Sequence, residues 1–280
     1  MKNTIHMLCG GEGIHEEDLL NSFIITTKGG ATILIDGGHR FSAPRLIERL
    51  KEITGQEKPH IDGWFLTHLH EDHINAFLEI IENCSEQVDI EKIYYNMTTD
   101  IAIQMREGQN CVRTFLDFYR LLPKFKDISY VPVTGETIVI KDAVFEVLQT
   151  AGMQLKVNSC NNNSLVLKMK LGGKTAIFLG DCEVEAGNKL LEKYGANGVL
   201  KADICQMAHH GQCGCDKPVY RAISPEICFW NTPKYLWNND WGNKGYNTFT
   251  FKTIIVQGWM KELGVKENYV IKDGDQKYEW

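Results

Sequence analysis

No stretch of this sequence approaches the roughly 18 consecutive apolar residues that mark a membrane-spanning helix, so none is expected. The first residues run from Lys2 and His6 into Met7-Leu8-Cys9-Gly10 without a long apolar core, so no secretory signal is expected either. Positive charge is not in excess: 30 Lys and Arg face 36 Asp and Glu, for a net charge of −6, and the pI is near 5.9. With no global basic field, strong nucleic-acid binding is not expected. No Pro-, Gly- or Ser-rich linker divides the 280 residues, which points to one domain over 1–280 with a sizeable core. The nine cysteines are scattered and odd in number, unlike a disulfide framework, and suit reduced thiols in a cytoplasmic protein. Histidine is missing from residue 74 through residue 208.

Where histidine does occur, it is concentrated. Thr67-His68-Leu69-His70-Glu71-Asp72-His73 follows the apolar run Trp64-Phe65-Leu66, so three imidazoles and an acid pair leave the end of an expected strand. The spacing of His68 and His70 aims both rings to one side of an extended segment. Asp72 and His73 fall where the chain turns toward a helix expected from Ile74. Two histidines for one ion, then an aspartate and a histidine for a second, is the economical reading. Neutral imidazole and carboxylate are ligands that Zn²⁺, Mn²⁺ and iron favour.

Short apolar and β-branched runs at 5–8, 22–27, 31–35 and 61–66 read as strands, the first closed by the Gly-rich turn at 10–13 and the third ending in Asp36-Gly37-Gly38. Ser42 is the expected N-cap of a helix with Leu46, Ile47, Leu50 and Ile53 on one face, stopped at Gly55. Helices are expected over 74–84 and, as one or two pieces, over 99–122, with a strand at 93–95 between them. The period then changes to two. A hairpin of 137–140 and 144–148 turns at Lys141-Asp142, strands follow at 164–169 and 175–179, and a helix over 183–194 closes at Gly195. A strand at 204–208 ends in His209-His210-Gly211. The remainder holds a strand at 227–230, an aromatic loop, a helix from 249 to 263 and a strand at 269–271. Two runs of strands interleaved with helices suggest two packed sheets with helices outside. Asp36, the 68–73 cluster, Asp181 and the pair His209/His210 all sit at strand ends, which one edge of such a sandwich can bring together.

Asp36 behind a strand, His68-x-His70-x-Asp72-His73, Leu179-Gly180-Asp181 and Ala208-His209-His210-Gly211 resemble, in order and placement, the successive motifs of the metallo-β-lactamase fold hydrolases. Asn161-Asn162-Asn163-Ser164-Leu165-Val166-Leu167, followed by the last two of those motifs, is similar to ComEC-type hydrolase domains. The tail, from Ile223-Ser224-Pro225 through Trp237 to the stretch 257–264, is more loosely similar to phosphorylcholine esterase catalytic domains. The resemblance implies an α+β, four-layer αββα sandwich and a dinuclear centre of divalent ions, with Zn first and Mn or Fe as alternatives. It assigns His68 and His70 to the first ion, and Asp72, His73 and one of His209/His210 to the second. Asp181 would bridge them, as a carboxylate with two oxygens can. The third motif departs. Its usual histidine would stand near Thr150-Ala151-Gly152, so the His68/His70 half is expected to be the more open and weaker one. An Asn or Ser within 161–164 either orients a water there or makes a polar turn.

Asp72, His210 and Asp36 complete the expected catalytic set. Asp36 either stands behind the site, holding a ligand histidine or the turn, or is a plain β-turn aspartate. Of the histidine pair, His209 directly follows the strand and is narrowly preferred as the ligand, leaving His210 to face substrate and donate a proton; the reverse order stays open. Two ions roughly 3.5–4 Å apart can activate water and polarise a substrate oxygen. The two-ion arrangement serves phosphoryl and acyl substrates alike, and it is the resemblance to ComEC-type domains that implies phosphodiester hydrolysis as the first expectation, on a small-molecule or phosphodiester substrate. A lactonase- or thioesterase-type acyl hydrolase is the second, and a catalytically weak, metal-stabilised binding protein the third. Cys213-Gly214-Cys215 lacks the second pair of a thiolate site. Tyr235, Trp237 and Trp241 either wall a substrate site or pack a long loop. His39 either lines the cleft or lies on the surface.

Overall fold

The computed structural model describes residues 2–10, 20–97, 109–152, 155 and 157–280. Most of the turn at 10–13 and the first part of the helical stretch expected at 99–122 lie outside the described residues.

Two seven-stranded sheets carry the architecture. Side by side in the first are Gln276–Glu279 (β16), Thr4–Met7 (β1), Ser22–Thr26 (β2), Thr32–Asp36 (β3), Gly63–Leu66 (β5), Ile93–Tyr95 (β7) and Ser129–Tyr130 (β8). The second orders Glu267–Val270 (β15), Ile227–Trp230 (β14), Ile204–Gln206 (β13), Lys174–Phe178 (β12), Val166–Leu171 (β11), Ala143–Gln149 (β10) and Thr137–Ile140 (β9). Each sheet is antiparallel in one half and parallel in the other: β3, β5, β7 and β8 run parallel in the first, β12 to β15 in the second.

Alternation along the strands explains the layers. Phe23, Ile25, Ile33, Ile35 and Phe65 point between the sheets and meet Phe145, Val147, Leu167, Phe178 and Phe229. Phe23 meets Phe178 edge-on at 5.4 Å, and Phe65 lies 4.7 Å from Phe145. The alternate residues Ile24, Leu34, Trp64 and Leu66 face outward onto Ala43–Thr54 (α1), Glu71–Asn83 (α2) and Gln109–Phe125 (α3). On the far side Val166, Ile177, Cys205 and Cys228 meet Val184–Tyr194 (α5), Lys217–Ile223 (α6) and Thr253–Glu262 (α8). The result is the expected four-layer αββα sandwich. No helix among the described residues is long and apolar enough to cross a membrane.

Four local expectations are corrected. The strand expected over 61–66 is broken at Asp62, whose carboxylate accepts the Thr32 N–H at 2.7 Å and pairs with Lys141 at 2.6 Å. His60–Ile61 (β4) consequently forms a separate ladder with Asp89–Ile90 (β6). Ser42 makes no side-chain cap bond; a 3₁₀ turn over Arg40–Ser42 leads into α1 instead. Gly195 keeps right-handed helical angles (φ −62°, ψ −36°) rather than a left-handed cap, unlike Gly55 at φ 69°. The strand expected from Ser164 begins at Val166, because Ser159–Asn162 (α4) forms a helical turn before it.

Candidate metal centre

The parallel halves of the two sheets present their carboxyl ends at one edge, the position at which open α/β sheets hold ligands. Asp36 is the last residue of β3, and residues 67–73 leave β5. Asp181 follows β12, and His209 and His210 follow β13. His70 is extended (φ −98°, ψ 152°) and α2 starts at Glu71. Asp72 and His73 therefore occupy the first helical turn, not the loop expected ahead of Ile74. Acidic side chains there complement the exposed helix amides. The His73 carbonyl accepts from the N–H groups of Gly37 and Gly38 at 2.7 and 2.9 Å, tying the turn after β3 to the start of α2.

Asp36 sits at φ 56°, wholly buried. Its Oδ2 accepts from the Thr67 hydroxyl at 2.6 Å and the Asn21 amide at 2.8 Å, and lies 2.7 Å from Nδ1 of His73. Its Oδ1 accepts the Thr67 N–H at 2.8 Å. A carboxylate oxygen accepts here, so His73 carries a hydrogen on Nδ1, and in the neutral ring Nε2 presents the lone pair. The Thr67 hydroxyl gives its hydrogen to Asp36, so its oxygen is left to accept from Nδ1 of His68, 3.1 Å away. At His210, Nδ1 lies 3.0 Å from the Asn231 carbonyl, again leaving Nε2 bare. Three rings thus receive their tautomers from acceptors behind them.

Asp181 is set by a tight turn. The carboxamide oxygen of Gln206 accepts from the N–H groups of Leu179 and Gly180, and the Ser164 hydroxyl oxygen accepts from the N–H of Asp181 at 3.0 Å. Gly180 has φ 56°, and a Cβ there would come within 2.8 Å of Ser164.

The donor atoms meet as two groups, His68 with His70 and Asp181, and Asp72 with His73 and His210; within each group they lie no more than 4.8 Å apart. Nε2 of His73 is 3.2 Å from Oδ1 of Asp181, and Nε2 of His210 is 3.0 Å from Asp72 and 3.4 Å from Asp181. The His68/His70 side is looser, with Nε2 of His68 3.9 Å from Asp181. Nε2 of His73, Nε2 of His210 and Oδ1 of Asp181 make no hydrogen bond although all are buried. Buried polar atoms are rarely left so. Inner ring nitrogens and carboxylate oxygens gathered in this way call for positive charge between them, which fits a divalent cation.

The electrostatics agree. Burial works against charge on His73, but Asp181, Asp72 and Asp36 outweigh it and hold the ring well above its ordinary range. His210 is likewise raised to about 9, burial being overcome chiefly by Asp181. At His68 burial acts together with His73 and His70, and its pKa falls well below the usual value. The field of the three carboxylates thus favours positive charge at the inner nitrogens of His73 and His210, whether a proton or a metal ion supplies it.

His209 and His210 are both left-handed, at φ 48° and 54°, conformations that cost about 1–3 kcal/mol each for such residues. The double turn separates their rings. His210 is 1% exposed and points inward, whereas His209 is 17% exposed at the rim, 3.0 Å from Glu183 and 3.8 Å from Asp181. The preference for His209 as the inward residue is therefore reversed: the strand end aims the second histidine, not the first, at Asp72 and Asp181.

The other sequence candidates disperse. His39 stacks on Phe41. Cys215 is buried with its thiol donating to the Cys182 carbonyl, and Cys213-Gly214-Cys215 joins no ligand group among the described residues. Tyr235 packs on Trp241, and Trp237 on Trp230, so these rings pack the loop. Thr67, Asn21, Asn231 and Glu183 escaped the sequence reading, since a lone hydroxyl, amide or acid carries no spacing signal. So did Cys111 and Cys160, which gather with His70. The Cys111 thiol is lowered to about 5, chiefly by its hydrogen bond with Cys160 and, against burial, by His70.

A family model described as the metallo-beta-lactamase superfamily matches residues 16–152. The fold is that of the metallo-β-lactamase superfamily. Among solved structures, the metallo-beta-lactamase fold protein YhfI from Bacillus subtilis covers 99% of this chain and 100% of its own at 10% identity, with a TM-score of 0.56. The diiron β-hydroxylase CmlA from Streptomyces venezuelae aligns over 100% of this chain and 54% of its own, at 10% identity and a TM-score of 0.57. Zn²⁺-bound PqqB from Methylobacterium extorquens aligns over 93% and 87%, at 11% and 0.52. In sequence, the ComE operon protein 3 of Bacillus subtilis is 36% identical over 80 residues, which is 29% of this chain and 10% of that protein.

Proposed function

We propose that this chain is a metal-dependent hydrolase of phosphodiesters, with two divalent ions at the strand-end site. The observation that carries this reading is the set of unpartnered buried atoms, Nε2 of His73, Nε2 of His210 and Oδ1 of Asp181, gathered at one point. His68, His70 and Asp181 would hold one ion, and Asp72, His73 and His210 the other, with Asp181 giving an oxygen to each. Such a pair supplies Lewis acidity, which acidifies water and neutralises charge on a phosphoryl oxygen. Asp36, Thr67 and the Asn231 carbonyl keep the ring hydrogens of His73, His68 and His210 on the outer nitrogens. His209, at the rim with Glu183 beside its Nδ1, is placed to donate a hydrogen bond to a leaving oxygen. Zinc is the first choice of metal; a donor set of imidazole and carboxylate also accepts iron or manganese, and fold neighbours are described with zinc in one case and two irons in another. The phosphodiester preference rests on the likeness of residues 161–167, 178–181 and 208–211 to ComEC-type domains, supported by the ComE operon protein 3 match. The nine thiols, none in a disulfide, suit a cytoplasmic setting.

The test strips the protein of metal, restores Zn²⁺, Mn²⁺ or Fe²⁺, and measures hydrolysis of bis-p-nitrophenyl phosphate beside lactone and thioester substrates. Metal-dependent turnover of the phosphodiester is expected. Turnover of the acyl substrates alone would reassign the enzyme. Less than one bound equivalent without any gain in rate would replace it with the binding-protein reading.

A further inference from the structure

A third set of ligand atoms adjoins the centre, sharing His70 with it and adding two sulfurs that the proposed hydrolysis does not use. His70, Cys111 and Cys160 offer a nitrogen and two sulfurs, all within 4.8 Å of one another, with both cysteines buried. They arrive from three separate segments: His70 from the cap of α2, Cys111 from α3 and Cys160 from α4. Packing of distant elements, not adjacency in sequence, brings the sulfurs together. They are also set apart from the other thiols, since Cys182, Cys205, Cys213, Cys215 and Cys228 join no such group among the described residues.

We propose that His70, Cys111 and Cys160 form a thiolate site for a soft divalent ion, Zn²⁺ by preference, distinct from the imidazole–carboxylate pair and competing with it for His70. A tetrahedral ion with Zn–S bonds near 2.3 Å and a Zn–N bond near 2.0 Å holds its ligand atoms about 3.5–3.8 Å apart. Drawing the three groups together by about 1.3 Å at most meets that requirement, and solvent supplies the fourth ligand past the half-buried His70. On binding, each sulfur forms its S–metal bond as a thiolate, and whatever proton it still carries passes to solvent. Sulfur selects the softer ion, while His68, His70 and Asp181 suit a harder one such as Mn²⁺. Nδ1 of His70 is 3.0 Å from Nε2 of His68, so an ion held by the sulfurs draws on a ring that the looser half of the centre needs. The hydrolytic reading uses neither sulfur, so binding at the sulfurs can be tested apart from turnover.

The experiment titrates the full chain, metal-free and reduced with a phosphine, with Co²⁺ and follows the near-ultraviolet thiolate-to-cobalt charge-transfer band. The band is expected in the wild-type protein and in Asp181→Asn, which breaks the imidazole–carboxylate pair, and is expected to vanish in the double variant Cys111→Ala, Cys160→Ala. As a measurement that needs no variant, X-ray absorption at the zinc edge of protein loaded with three equivalents should show a sulfur shell near 2.3 Å. No band at saturating Co²⁺, a band that survives the double substitution, or a zinc spectrum without sulfur overturns the proposal. None of these results bears on whether phosphodiester turnover follows metal at the other donors.

Discussion

Asp36 shows how much of this centre is settled by one side chain that never meets substrate. Its two oxygens take hydrogens from Thr67, Asn21 and His73, and through the Thr67 hydroxyl they also decide which nitrogen of His68 is bare. In Asp36→Asn one of the two acceptors becomes an N–H donor, so one of those bonds turns into a clash of hydrogens. Metal affinity, measured by competition with a chelating dye, is expected to drop about 10–100-fold. His39→Ala, on a ring stacked against Phe41, should leave it unchanged. The histidine pair separates by the same logic. His210→Ala should empty at least one equivalent of metal, whereas His209→Ala should keep its metal and lose about 10²-fold in turnover. Equal metal loss in both would sink the assignment of His210 as the inward ligand.

At the scale of elements, the turn after β12 is the most exacting. Gly180 combines a left-handed φ with 2.8 Å of clearance to Ser164, so Gly180→Ala adds backbone strain and a contact that the buried serine cannot leave. A loss of about 1–3 kcal/mol is expected from urea unfolding, with metal content lowered as well because Asp181 is the next residue. On β1, His6 is paired across the ladder with Lys277, and its pKa is lowered to about 4 by burial first, then by Lys277 and Arg49. The unfolded chain regains the ordinary value near 6.5. Between those two values the unfolded state binds more protons, so stability is complete above pH 6.5 and is lost as pH falls toward 4, by up to about 3 kcal/mol. His6→Gln should flatten that part of the profile in urea midpoints taken from pH 7 to pH 4.5; an unaltered slope would assign the acid sensitivity elsewhere.

Taken whole, the molecule is two sheets meeting over one apolar interior, with the polar site at the shared edge. The donors divide between the layers: His68, His70, Asp72 and His73 belong to the first sheet's connections, Asp181 and His210 to the second's. An ion held by both sets would therefore link the sheets. Zn²⁺ at 100 times its dissociation constant should add about 2.7 kcal/mol to the stability of the metal-free protein, seen as a rise of several degrees in the unfolding temperature. Asp181→Asn should abolish most of that rise. A wild-type protein whose melting ignores the metal would contradict ligands drawn from both layers.

What could be read from the chain alone follows from the local nature of periodicity and residue chemistry. Short continuous apolar runs marked β2 and β3, alternation marked β10, the 3.6-residue spacing of Leu46, Ile47 and Leu50 marked α1, and the residues from His68 to His73 supply donor types that suit a metal ion. Those signals need only neighbours in sequence. The order of His209 and His210 could not be read this way, because it depends on two consecutive left-handed residues that the β13 exit imposes. The break at Asp62 needed Lys141 and Thr32 to arrive from other strands. The early start of α2 needed the turn after β3 to bond the His73 carbonyl. Cys111 and Cys160 are 49 positions apart and carry no pattern; only the packing of α3 and α4 around the end of β5 makes them neighbours of His70. Strand order, register and long-range hydrogen bonds decide which donors converge, and none of these is a property of any one stretch of chain.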